Sequence, residues 1–421
     1  MQQDKGFPKK KMHNWFCSNV VQNQPKGKFC TMLGQKLSES CAFCFCPTTK
    51  VIHSAFFLLL SAILVFVTVS CGGTKALPEN QDEKAGNQIA KDMVGKINTA
   101  VDPEFVYAYG QSRFVPPEGK TLLIMGQTVE QITEYRKAFR SEPLPGGWSA
   151  YWGIPEFTGV AKAHEIEPGN TQNHQMLVKK FPNTAIQSAL WMVGKWGIAE
   201  KAGKGEYDDV IIKYSSWVKA ANRPVYLRIG YEFDGPHNAL EPEEYVKAYR
   251  HIVDLMRAEG VENVAFVWHS YASPTYKGYP IADWYPGDGY VDWVGISVFG
   301  HAYNGTDFGP DCNRVLDFAK THKKPVMIAE SSPINGITEE SASVWDQWFV
   351  NFFSFAYNKN IKAISFINED WTQLNIEGIS TWQDSRLQNN PQVAKAWFRE
   401  TSKDRYLKQS ERLFEQLGYM K

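Results

Sequence analysis

Residues 224–269 read PVYLRIGYEFDGPHNALEPEEYVKAYRHIVDLMRAEGVENVAFVWH, and this stretch decides the fold. A short apolar run at 224–233 is followed by an amphipathic helical stretch at 242–259 and by a second short apolar run at 263–269. The order predicts two parallel strands joined by a helix, because parallel neighbours need a crossover connection.

The same alternation recurs from about residue 101 to the end of the chain. Strands are predicted at residues 121–125, 148–152, 184–192, 224–233, 263–269, 291–299, 325–330 and 361–367. Helices are predicted at residues 129–139, 174–180, 207–220, 242–259, 281–284, 314–321, 341–358 and 391–399. Eight such units predict an α/β protein with one (β/α)8 TIM barrel over residues 101–421, since a doubly wound sheet usually needs fewer strands.

The first 71 residues are typical of a targeting leader. An apolar run at residues 55–69 follows a basic stretch, and it is short for a bilayer span of about 20 residues but suits a signal peptide. The Val69-Ser70-Cys71 sequence resembles a bacterial lipoprotein signal in which Cys71 is acylated; an ordinary signal peptide or an anchor helix are the alternatives. We therefore predict a leader at 1–71, a flexible tether at 72–100, and an extracytoplasmic protein, periplasmic or at the cell surface, with a lipid anchor in the membrane.

Charge and cysteine usage exclude some classes of partner and site. The chain has 45 basic and 45 acidic residues, but residues 1–71 hold eight lysines against Asp4 and Glu39, so the remainder is mildly acidic. That balance gives no basic footprint for nucleic acid. Six of the seven cysteines lie at or before Cys71, which leaves only Cys312 in the predicted barrel and no disulfide framework there.

Two predicted strands end in a carboxylate. Strand four contains Arg228 and ends at Glu232, and alternation along a strand places both on the same, inward face. Strand seven runs through four apolar residues into Glu330. A buried Arg228–Glu232 ion pair that only stabilises the barrel is the alternative for strand four, because such groups are costly to bury without partners.

The two glutamates together indicate glycosidic bond hydrolysis. The active site of a (β/α)8 barrel lies at the C-terminal ends of its strands, where Glu232 and Glu330 can face each other. One carboxylic acid protonates the leaving oxygen, while the other carboxylate attacks the anomeric carbon or activates water. A separation of about 5–5.5 Å indicates retention of configuration, and about 6.5–9.5 Å indicates inversion.

The motifs around these residues resemble glycoside hydrolase family 26, a family of retaining clan A barrels. The resemblance rests on LRIGYEFDG at 227–235, DWVGISVF at 292–299 and PVMIAE at 325–330, and it covers about residues 101–400. It implies Glu232 as acid/base, Glu330 as nucleophile and Trp371 as the floor of the −1 subsite. Family mannanases usually carry His where this chain has Tyr231, and often a Tyr where it has Phe299, so the pattern is closer to the β-1,3-xylanase branch.

Other residues near the strand ends are candidate sugar contacts, with core or structural roles as the alternative. His269 is expected to hydrogen-bond either the acid/base or a sugar hydroxyl. The full set of candidate substrate-binding residues is Arg228, Tyr231, Asp234, His237, Trp268, His269, Tyr271, Phe299, His301, Tyr303, Trp371, Trp196 and Gln127. The sequence contains no metal-ligand spacing, phosphate-binding glycine loop or Gly-x-Ser-x-Gly elbow.

We therefore predict a monomeric retaining endo-β-glycanase that needs no cofactor and acts on a plant or algal polysaccharide of the β-1,3-xylan or β-mannan type. A hydrolase of another glycan, such as mixed-linkage glucan or a sulfated galactan, is one alternative. A non-catalytic barrel that binds glycan at the cell surface is another. A lyase or inverting hydrolase for acidic polysaccharides would need more basic residues at the strand ends than Arg228.

Overall fold

The structure is a computed structural model of the chain, and it describes residues 81–165, 170–374, 379 and 381–420. The predicted leader, with Cys71 and the apolar run at 55–69, lies outside the described residues, as do residues 72–80 of the predicted tether. Within the described ranges, no helix has the length and apolar character needed to cross a bilayer.

Eight parallel strands form a closed barrel, as predicted. Each strand pairs with the next, and the last returns to the first, where Leu122 aligns with Ala363. The strands are almost wholly buried, which explains why they are apolar runs rather than alternating ones. They are β1 (Thr121–Gly126), β2 (Gly147–Gly153), β3 (Ala185–Trp191), β4 (Val225–Ile229), β5 (Val264–Ser270), β6 (Trp293–Val298), β7 (Val326–Ser331) and β8 (Ala363–Ile367).

Helices surround the barrel, and most begin close to their predicted positions. Side-chain N-caps set the first residue of several helices: Thr128 accepts from the Gln131 N–H, and Asn390 accepts from the N–H of Val393. The predicted helix at 341–358 starts as a π-helical turn, Trp345–Phe349. The helices are α1 (Gln81–Gly95), α2 (Val129–Ala138), α3 (His174–Lys180), α4 (Ile198–Gly203), α5 (Asp208–Ala221), α6 (Pro242–Ala258), α7 (Pro310–Thr321), α8 (Val350–Asn358), α9 (Pro391–Thr401) and α10 (Leu413–Gln416).

The prediction of a flexible tether at 72–100 is wrong for its described part. Residues 81–95 form helix α1, whose Ala90, Met93 and Val94 are buried in the main core. The Trp345 indole N–H donates to the carbonyl of Met93 at 2.8 Å, which ties the end of this helix to the barrel. The segment is therefore part of the folded domain.

Segments that precede β1 and follow β8 in the sequence together close the N-terminal end of the barrel. Phe114 and Phe414 share a buried cluster with Tyr226 and Trp293, which lie at the starts of β4 and β6. The Tyr226 hydroxyl donates to the Phe114 carbonyl at 2.7 Å. A short strand, β9 (Tyr406–Leu407), also pairs with the start of β1. Substrate must therefore approach from the C-terminal ends of the strands.

Candidate active site

Glu232 lies on a turn and not on the strand where it was predicted. Strand β4 ends at Ile229, and the next residues turn sharply, with positive φ at Gly230 (59°) and at Glu232 (51°). A side chain on a left-handed backbone is strained, so contacts must hold it there. The Asn238 amide provides two, donating to the carbonyls of Tyr231 and Glu232 at 2.8 and 3.0 Å.

A β-bulge directs Glu330 into the barrel mouth. Along β7, Met327 and Ala329 face the interior, so strict alternation would turn Glu330 outward. The pairing with β6 shifts instead: Ile296 aligns with Ile328, but Ser297 aligns with Glu330. One extra residue in β7 re-aims the carboxylate, a known use of bulges.

Glu330 is held by two donors on one oxygen. Its Oε1 accepts from the Arg228 guanidinium and from the Tyr151 hydroxyl. Arg228 is fully buried and also donates to Ser149 Oγ at 3.2 Å. The alternative of an Arg228–Glu232 ion pair is therefore wrong, because the guanidinium pairs with Glu330.

Glu232 has a different set of partners. Its Oε1 accepts from Ser297 Oγ at 2.5 Å. Its Oε2 lies 2.8 Å from His237 Nε2, an ion-pair contact when the imidazole is protonated. The two carboxylates thus have different partners: a permanently charged guanidinium and a phenol hydroxyl for Glu330, and a serine hydroxyl and a titratable imidazole for Glu232.

His269 links these two environments behind the site. Its Nδ1 lies 3.3 Å from Arg228 Nη1, and its Nε2 lies 3.0 Å from Ser297 Oγ. Because a guanidinium can only donate, Nδ1 must be the acceptor and Nε2 must carry the proton. Ser297 then receives that proton's hydrogen bond and donates its own to Glu232. Burial and the Arg228 charge hold the pKa of His269 well below its usual range, which keeps this tautomer neutral.

The electrostatics separate the two glutamates. Burial disfavours the charged form of Glu232, but the contacts with His237 and Ser297 outweigh it and lower the pKa of Glu232 to about 2. Burial and the nearby Glu232 carboxylate raise the pKa of Glu330, although Arg228 and Tyr151 oppose this. Burial favours neutral His237, yet Glu232 prevails and raises the pKa of the imidazole. Both shifts favour a protonated His237 beside a charged Glu232 carboxylate.

Aromatic side chains flank the carboxylates on two sides. Trp371 follows β8, donates its indole N–H to Ser332 Oγ at 3.0 Å, and meets Trp382 edge-on at 4.9 Å between ring centroids. Phe299, at the end of β6, lies 4.8 Å from Trp382. Near β3, Trp191 and Trp196 meet at 5.1 Å. Aromatic faces of this kind suit the apolar faces of sugar rings.

Known proteins resemble the chain over this same region. The model of glycosyl hydrolase family 26 matches residues 215–388, which include both glutamates. A β-1,3-xylanase from a Vibrio species is 30% identical over 340 residues, covering 73% of this chain and 70% of that protein. The chain belongs to glycoside hydrolase family 26. A β-1,3-xylanase from an Alcaligenes species is also 30% identical, over 341 residues, 73% of this chain and 69% of that protein.

Solved structures of family 26 also match the chain, at lower sequence identity. A β-mannanase from Bacteroides ovatus is 15% identical, with a TM-score of 0.47 over 77% of this chain and 96% of that one. The family assignment makes the chain a retaining glycoside hydrolase and confirms the resemblance drawn from the motifs.

Two predicted sugar contacts of this family 26 enzyme lie in the core instead. Trp268 is fully buried on the outer face of β5, stacks on Phe233 at 4.5 Å, and donates to the Trp284 carbonyl. Asp234 is fully buried and accepts from Ser270 Oγ and from the Tyr271 N–H, both at 2.6 Å. Neither can touch a sugar in this structure.

Most of the remaining candidates lie around the mouth of the hydrolase. Tyr231 packs edge-on against Tyr151 at 5.1 Å, and Tyr271 meets the His237 ring at the same distance. His269 lies behind Glu232 rather than in the cleft, since it is fully buried. The others are half-buried or exposed: Gln127 after β1, Trp196 after β3, and His301 and Tyr303 after β6.

The sequence reasoning missed four polar or aromatic residues of the site, namely Ser149, Tyr151, Ser297 and Trp382. Ser149 and Tyr151 share the inward face of β2, and Ser297 shares the inward face of β6 with Trp293. Alternation along these two strands was a usable signal. Trp382 lies in a long loop after β8, where no such signal exists.

Proposed function

We propose that the protein is a retaining endo-β-1,3-xylanase in which Glu330 is the nucleophile and Glu232 the acid/base. The observation that carries the proposal is the asymmetric clamp on Glu330. Arg228 and Tyr151 both bind Oε1, and no described side chain hydrogen-bonds Oε2. A carboxylate oriented by one oxygen can attack an anomeric carbon with the other.

The surroundings of Glu232 suit the complementary role. In the first step Glu232 gives a proton to the leaving glycosidic oxygen while Glu330 forms the glycosyl-enzyme. In the second step Glu232 takes a proton from water, and the hydroxide displaces Glu330 from the sugar. Retention requires carboxyl groups about 5–5.5 Å apart.

Similarity favours β-1,3-xylan over other substrates. The relatives that carry the name β-1,3-xylanase match about 70% of their own lengths. A mannan endo-1,4-β-mannosidase from Thermothelomyces thermophilus is 27% identical over only 36% of its length. Tyr231 and Phe299 also stand where family mannanases usually carry His and Tyr. A cleft for acidic polysaccharides would need a basic side chain, but the guanidinium of Arg228 is already paired with Glu330.

Hydrolysis of a polysaccharide panel tests the proposed substrate. Purified protein is incubated with β-1,3-xylan, β-mannan, mixed-linkage glucan, carrageenan and agar, and the products are sized over time. We expect β-1,3-xylan to yield oligosaccharides of intermediate length first, as internal cleavage requires. Release of oligosaccharides from β-mannan alone would refute β-1,3-xylan as the substrate. Hydrolysis of no glycan would favour a barrel that only binds glycan.

We also propose that Cys71 is acylated and anchors the enzyme to an extracytoplasmic membrane surface of a bacterium. The support is the sequence of the leader, with an apolar run directly before Val69-Ser70-Cys71. Mass spectrometry of the mature N-terminus tests it: a diacylglyceryl group on Cys71 is expected, and an unmodified terminus elsewhere would refute it.

A further inference from the structure

His237 is placed against the one oxygen of Glu232 that can carry a transferable proton. Ser297 donates to Oε1, and it does so because His269 already donates to the Ser297 oxygen. Oε1 is thus an acceptor, which leaves Oε2 as the position for an acidic proton. His237 Nε2 lies 2.8 Å from that oxygen.

The fold makes room for the imidazole at this position. A Cβ on Gly235 would lie 2.4 Å from His237 Cε1, so any larger residue at 235 would displace the ring. Tyr271 packs edge-on against the other side at 5.1 Å. The His237 side chain remains 24% exposed, whereas Glu232 is only 9% exposed. His237 is therefore the more solvent-accessible member of the pair.

We propose that His237 is the proton partner of the acid/base, sharing one proton with Glu232 Oε2 and exchanging it with solvent. This inference rests on the proposed roles of Glu232 and Glu330. His237 acts through Glu232 and is a positioning residue, not one that touches the reacting atoms.

Proton balance follows from this arrangement. In the resting pair the proton is on His237 Nε2 and Glu232 is a carboxylate. When the glycosidic bond breaks, Glu232 delivers a proton to the leaving oxygen, and the pair is left as neutral imidazole and carboxylate. When water attacks the glycosyl-enzyme, Glu232 takes up one water proton and passes it to His237. The cycle consumes one water and restores the starting protonation.

The shared proton would keep the acid available at neutral pH. A proton held by two groups dissociates with an apparent pKa above that of Glu232 alone with a neutral partner. Asp234, Glu232 and Glu330 face His237 and favour its charged form, whereas burial opposes it. The base His269 also acts electrostatically on Glu232, and its own proton is directed to Ser297.

The pH dependence of His237→Gln tests the proposal on whichever glycan the wild type cleaves. Gln can occupy the same space but cannot hold the proton. Because free His and Glu differ by about two pKa units, we expect the alkaline limb of kcat/KM to move down by about one pH unit or more. The loss at pH 7 should grow as the pKa of the leaving group of an aryl glycoside rises. An unchanged alkaline limb would overturn the proposal, even with reduced activity.

His251→Gln is the matched control. His251 Nε2 lies 2.7 Å from Asp208 Oδ1, a similar His–carboxylate pair between α5 and α6, outside the site. This variant should keep the wild-type pH profile. A limb shift in both variants would show a general electrostatic effect and would overturn the specific role of His237.

Imidazole titration by NMR tests the pair without any substrate. In the wild type, His237 should titrate above the ordinary value of about 6.5, and Glu232→Gln should return it to or below that value. Titration at or below 6.5 in both proteins would overturn the shared proton. If the wild type cleaves no glycan, the proposed function fails, and this titration alone decides the proton pair.

Discussion

Arg228 on β4 and Glu330 on β7 form a buried ion pair across the mouth of the barrel, with the guanidinium fully buried and the carboxylate side chain 9% exposed. The pair fixes Glu330 Oε1, and Tyr151 donates to the same oxygen. Three strands thus contribute to the orientation of one carboxylate. Replacing either partner leaves the other charge buried without compensation.

The Arg228→Met variant should therefore have a lower free energy of unfolding than the wild type and should lose activity. Breaking a buried ion pair by removing one partner costs about 3–5 kcal/mol. The lost cation would also raise the pKa of Glu330 further and weaken the nucleophile. Denaturant unfolding and kcat/KM measure the two effects. The double variant Arg228→Met, Glu330→Gln should recover part of the stability but none of the activity; a double variant no more stable than the single one would contradict the ion-pair argument.

Glu330→Ala should abolish turnover, and Glu232→Ala should reduce it by about 10²–10⁴-fold, the range for loss of general acid–base catalysis. On substrates with good leaving groups, added azide should rescue Glu232→Ala as a glycosyl azide of retained configuration, because the glycosyl-enzyme still forms. Surface Glu243→Gln serves as control, since Glu243 pairs with Lys247 on α6, outside the site. Rescue of neither variant would count against the assigned roles.

Tyr151→Phe should lower kcat/KM by about 10–100-fold, because a hydrogen bond to a charged group contributes about 1.5–3 kcal/mol. The hydroxyl is one of two donors on Glu330, and its loss leaves the ring in place beside Arg228. Tyr279→Phe is a matched control, since its hydroxyl donates to Glu241 at 3.0 Å outside the site. Equal activity of Tyr151→Phe and wild type would show that the contact does not orient the nucleophile.

The titration of Asp234 should lower the free energy of unfolding of the protein as the pH rises. Burial raises the pKa of Asp234 from 3.8 to about 6, so folding favours its protonated form. This contribution is complete below pH 4 and is lost as the pH rises through about 6. Asp234→Asn lacks the titration, so its free energy of unfolding relative to wild type should increase by up to about 3 kcal/mol between pH 4 and 7. A difference independent of pH would refute the shifted pKa.

The barrel could be predicted because its strands are buried on both faces and are therefore continuous apolar runs. The two glutamates were visible for the same reason, as charged residues that interrupt such runs near the strand ends. The turn at Gly230–Glu232 could not be predicted, because it depends on the contacts of Asn238. The bulge before Glu330 could not be predicted either, because it depends on the pairing of β7 with β6. The side chains still point to one site, although the alternation argument fails at both positions.

Two other errors had signals in the sequence. Ala90, Met93, Val94 and Ile97 have helical spacing, and all four are buried, but the polar residues between them favoured a tether. On β5, alternation places Trp268 and His269 on opposite faces, so they could not both face the cleft. Trp382, in the loop after β8, had no pattern to identify it, since long loops carry no period.

The plugged base of the barrel has a consequence for how a polymer is handled. Phe114 and Phe414 fill one end, and Arg228 with its partners fills the centre, so no passage runs along the axis. A glycan cannot be threaded through the molecule and must lie crosswise over a single open face. Neither free end of the polymer then has to be found before a bond in the middle is engaged.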